Sequence, residues 1–108
     1  MGTTNLSALA LDGDVPNSGT AITGIKVYSA SLTPASVGAA TVAEQTFTVT
    51  GLTTADKVIV NNPSISNAVG IAGARVSAAD TLALRFVNPT AGSLTPTAGT
   101  FTIIAVRS

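Results

Sequence analysis

With neither Cys nor His in its 108 residues, this chain must do any acid–base or ligand chemistry with five carboxylates and five cations. Cys–His dyads, Ser–His triads and thiolate or imidazole metal sites are excluded, as are disulfides. The acids are Asp12, Asp14, Glu44, Asp56 and Asp80, set against Lys26, Lys57, Arg75, Arg85 and Arg107. A glycosidase-like pair needs Glu44 and an aspartate held at a controlled separation across a cleft. At 4% aromatic content the chain has few rings on which to stack a sugar. Asp12-Gly13-Asp14 lacks the further oxygen ligands and closing glutamate of a calcium loop, and an Asx-type turn accounts for it. No catalytic residue, cofactor site or metal ligand is expected.

The acids instead mark a recurring signature: Thr41-Val42-Ala43-Glu44, Thr53-Thr54-Ala55-Asp56 and Ser77-Ala78-Ala79-Asp80. A hydroxyl three residues before a carboxylate is also a helix-capping pattern. The residues that follow are β-branched and alternate with period two, which predicts strands. The expectation is a turn before each strand, its acidic side chain accepting bonds from nearby backbone N–H groups.

Six strands are predicted, over Ala21–Ser29, Glu44–Thr50, Lys57–Asn61, Ile71–Val76, Asp80–Val87 and Thr100–Arg107, with 65–70 left open. In the second, Phe47 and Val49 face one side while Thr46, Thr48 and Thr50 face the other. In the fifth, Leu82, Leu84 and Phe86 share a face. Spacings near a dozen residues indicate an all-β, compact antiparallel sandwich, Ig-like or jelly-roll-like, or a small barrel. Residues 20–108 form the sandwich domain in this reading. Residues 1–19 are set apart: Leu6, Leu9 and Leu11 lead into the turn-forming run from Asp12 to Gly19. They are read either as an extended N-terminal arm reaching a neighbouring subunit, or as a first edge strand or short helical turn packed on their own domain.

Only 9% of the residues are charged and the net charge is zero, against roughly 25% charged in an average soluble domain. A free monomer with so few charges tends to associate. The neutral balance removes the electrostatic term on which nucleic-acid binding depends. Few aromatics leave a thin core that oligomerisation would reinforce. Arg75 and Arg85 are candidates for pairing with Glu44 or Asp80, or for a subunit interface; Arg107 looks like a gatekeeper at a hydrophobic strand end. No stretch approaches the roughly 18 apolar residues of a membrane span. The N-terminus lacks the basic start of a signal peptide, so synthesis and folding in a cytoplasm are expected.

Three stretches carry a family likeness: Ala43-Glu44-Gln45-Thr46-Phe47-Thr48-Val49-Thr50-Gly51-Leu52, Val60-Asn61-Asn62-Pro63 and Ala74-Arg75-Val76-Ser77-Ala78-Ala79-Asp80-Thr81-Leu82. Their phrasing resembles small virion structural proteins of tailed bacteriophages, over about Ile22 to Arg107. The resemblance implies a β-sandwich that decorates or cements the outside of the head, often as a trimer, bound to itself and to the major capsid protein. It equally accommodates a tail- or fibre-associated adaptor or a receptor- or glycan-binding module. No functional residue is carried over. From the residues, the candidate subunit or capsid contacts are Leu6, Leu9, Leu11, Arg75 and Arg85, with no nucleic acid, membrane or small-molecule substrate as partner.

Overall fold

A computed structural model describes residues 22–62 and 68–108. Six strands run through them: β1 (Gly24–Leu32), β2 (Thr41–Thr48), β3 (Lys57–Asn61), β4 (Gly70–Ala78), β5 (Thr81–Asn88) and β6 (Gly99–Arg107). They form two three-stranded antiparallel sheets, ordered β1-β6-β3 and β2-β5-β4. The sheets pack as a sandwich, and the expected all-β antiparallel architecture is what the chain adopts.

The period-two pattern explains the packing. β5 and β6 are the middle strands of their sheets. Leu82, Leu84 and Phe86 of the one, and Phe101, Ile103 and Ala105 of the other, are buried in a common core. Leu32, Val37, Val49, Leu52, Val69 and Val76 complete it. Side chains at i, i+2 and i+4 share a sheet face, so each inward row fixes its strand's register. β1 runs past the predicted end at Ser29, because Tyr28, Ala30 and Leu32 keep one phase inward.

Polar side chains close the ends of the sandwich. Asn88 is fully buried. Its Nδ2 donates to the carbonyls of Val37, Gly38 and Gly92 at 3.0, 3.1 and 2.9 Å, while Oδ1 accepts from the Thr90 N–H and hydroxyl. Gln45 reaches off β2 and bonds both the N–H and the carbonyl of Ala35, at 2.8 and 2.9 Å. It thereby imitates a strand partner for a segment that is not a strand.

The acidic signature divides on inspection. Asp56 behaves as expected, its Oδ2 accepting from the Thr53 N–H at 3.0 Å. Asp80 sits at φ 60° in the tight β4–β5 connection, a conformation Asp tolerates better than most residues. It accepts at 2.7 Å from the N–H of Gly51, 29 residues away. Gly51 itself has φ +106°, and a Cβ there would lie 3.1 Å from the Tyr28 ring; only glycine suits both conditions. Glu44 departs from the pattern. It lies inside β2, with Thr41 to Ala43 in the same strand, so the first copy is not a turn. Its carboxylate is committed across the sheet.

Candidate interaction surface

The charged side chains are best placed first, since they limit what the surface can do. Glu44 on β2 takes a bidentate ion pair from Arg75 on β4, with Nε at 3.0 Å and Nη2 at 2.9 Å. Register puts Glu44 opposite Arg85 and Arg75 opposite Ala83, so the pair crosses the middle strand on the diagonal. Beneath it Ala83 is 1% exposed although it points away from the core. The guanidinium beside Glu44 lowers its carboxyl pKa, and Glu44 raises that of Arg75. Of the alternatives open to Arg75, the structure shows the pairing with Glu44. Arg85 is exposed on the same face and makes no ion pair among the described residues.

Arg107 does more than end a strand. Its Nε and Nη2 bind Asp56 at 2.7 and 2.9 Å, and the Asp56 side chain is 1% exposed. The Arg107 bond, aided by the Thr53 N–H, holds the Asp56 carboxyl down at about 2 against the opposing effect of burial. This pair clamps the turn before β3 to the end of β6. Beside it opens a cavity of about 150 Å³ lined by Thr23, Lys26, Tyr28, Asp56 and Arg107 among others. Both oxygens of its carboxylate are taken by the guanidinium and the backbone, which leaves no free base there. Among the described residues no group of acids is placed to hold a metal ion.

The surface that remains is the outer face of β1-β6-β3. Val27, Ile104 and Ile59 stand side by side on its three strands, and Ile25, Val106 and Lys57 form the next row. Val27 and Ile59 are each 66% exposed and Ile25 is 51% exposed. Directly paired side chains in adjacent strands lie about 5 Å apart, so the five aliphatics make one continuous apolar patch. Contiguous patches of this kind mark contact sites on soluble proteins. The opposite outer face bears Thr46, Thr48, Thr81 and the Glu44–Arg75 pair, with Val42 its exposed aliphatic at 53%.

Of the residues singled out by sequence, Arg75 and Arg85 share the hydroxyl-bearing face. Leu6, Leu9 and Leu11 lie outside the described residues. The aliphatic patch was missed. Its signal is present in Val58-Ile59-Val60 and Ile103-Ile104-Ala105-Val106, where apolar residues occupy both phases of a strand, and in β1, where Ile25 and Val27 fill the phase opposite to Tyr28, Ala30 and Leu32. A strand apolar on both phases is covered on both faces, or else exposes one.

No family model matches the sequence, and no match was found to a curated protein or to a solved structure.

Proposed function

We propose that this chain is a structural virion protein, a decoration or cement protein that binds the outside of a phage head and stabilises it through subunit contacts. One observation carries the reading: a sandwich whose described carboxylates are all committed to ion pairs or turns groups Ile25, Val27, Ile59, Ile104 and Val106 in one apolar patch on an outer sheet face. Such a surface serves docking. It fits a protein that acts by covering and being covered, since charged residues are scarce and hydroxyls line the other face. The family likeness in sequence points the same way, toward self-association as a trimer and contact with the major capsid protein. A catalytic role would need a free base or nucleophile beside a cleft, and Asp56 is spent on Arg107.

Purified chain added to heads that lack it should bind saturably, at a fixed copy number, and raise the temperature at which the heads rupture. Absence of binding, or labelling of the tail alone in immunoelectron micrographs, overturns the head assignment.

A further inference from the structure

We propose that the aliphatic face of β1-β6-β3 seats the N-terminal segment of a neighbouring copy, with Leu6, Leu9 and Leu11 laid against Val27, Ile59 and Ile104. The inference rests on the docking reading above and names the partner of that surface.

Charge supplies the first argument. Residues 22–108 hold all five cations but three of the five acids, whereas residues 1–21 hold Asp12 and Asp14 and no lysine or arginine. Within the sandwich Arg75 and Arg107 are matched by Glu44 and Asp56. Lys57 stands on the aliphatic face itself, in the row of Ile25 and Val106. An apolar segment followed directly by two aspartates complements an apolar patch bordered by a lysine.

The point of entry supplies the second. The Thr23 N–H bonds the Arg107 carbonyl at 2.7 Å, which carries the β1–β6 ladder to its last pair. Ile22 and Thr23 thus lie just beyond the end of β1, next to the Ile25 and Val106 row, and Ile22 is exposed there.

Reach supplies the third. Twenty-one residues span at most roughly 70 Å, while a nine-residue strand is about 30 Å long. The segment is long enough to clear its own sheet and run the length of another. The run from Asp12 to Gly19 is rich in turn-forming residue types, a composition suited to a change of direction onto that neighbour.

The test uses two full-length variants and sedimentation. One carries Leu6→Ser, Leu9→Ser and Leu11→Ser; the other carries Val27→Lys and Ile59→Lys, both at exposed positions that the core does not need. Wild-type chain should self-associate, and each variant alone should do so on the order of a hundredfold more weakly. An equimolar mixture should regain a mixed complex, because the intact segment of one variant meets the intact face of the other. Undiminished association of the leucine variant overturns the inference in favour of two faces packing on each other. A monomeric wild type whose face takes up an apolar dye only after the leucines are replaced overturns it in favour of the chain's own segment. Head binding without a mixed complex removes this inference and spares the virion reading. A mixed complex without head binding does the reverse.

Discussion

The two outer faces of this sandwich share a backbone geometry and differ in how they are finished. On β2-β5-β4, threonines stay hydrated and a bidentate Glu44–Arg75 pair lies across Ala83. On β1-β6-β3, Val27, Ile59 and Ile25 face outward with nothing described above them. The first face is completed by its own side chains. The second keeps aliphatic side chains in water, where burial by a partner would recover about 25 cal/mol for each Å² covered. What separates them is small: an acid and an arginine at diagonal positions on one sheet, isoleucine and valine at similar positions on the other.

That contrast assumes that fold stability resides in the shared interior and not in either outer face, which substitutions can break. The largest loss is expected from Asn88→Ala. Three carbonyls would lose their shared donor at a buried to partly buried site, for a cost of about 3 kcal/mol by urea denaturation. A cost near zero would mean that water replaces the amide and that the loop cluster is looser than described.

Next comes Asp56→Asn, expected to cost about 2 kcal/mol at neutral pH by leaving Arg107 without its counter-charge. Its pH dependence sharpens the point. The folded-state pKa of about 2 lies below the ordinary 3.8, so the unfolded chain takes up the proton first. The stabilisation is therefore complete above about pH 4 and drains away as the pH falls through 2. The variant should lack that acid-sensitive portion. Equal acid sensitivity in both proteins would show that another carboxylate dominates.

A smaller effect is expected from Glu44→Gln on the finished face. Its partner is exposed, so the loss in thermal midpoint should be slight and should vanish in about 0.5 M salt. A large, salt-independent loss would promote the pair to a structural clamp and weaken the comparison.

Smallest in stability is the combined Val27→Thr and Ile59→Thr change on the bare face, expected to fall within about 0.5 kcal/mol of wild type. Self-association should nevertheless drop in sedimentation. A large loss of stability with unchanged association would show that the face belongs to the fold.

Much of this architecture was legible in the residues. β3 has the bounds read from sequence, β5 lies one residue later at both ends and β6 begins one residue earlier, because Leu82, Leu84 and Phe86, or Phe101, Ile103 and Ala105, announce one buried phase. The end of β1 was lost because Ser29, Ala30 and Ser31 are too small to display a phase. The Arg107–Asp56 contact joins residues 51 apart, and nothing local in either signals the other. The first acidic signature misled for the opposite reason: Thr41 to Glu44 has the local form of a turn, but pairing with β5 from Asn88 to Arg85 keeps it extended. The bare face was written in plain letters, as apolar residues in both phases, and is overlooked when alternation is sought only for a core.

Asn88 has one further consequence, for ageing. Asparagine side chains decay when the backbone nitrogen of the following residue attacks the amide and closes a succinimide ring. Here that residue is Pro89, whose nitrogen carries no hydrogen to give up. The amide that ties the β1–β2 connection to the β5–β6 connection is thus shielded from succinimide-mediated deamidation by its own neighbour.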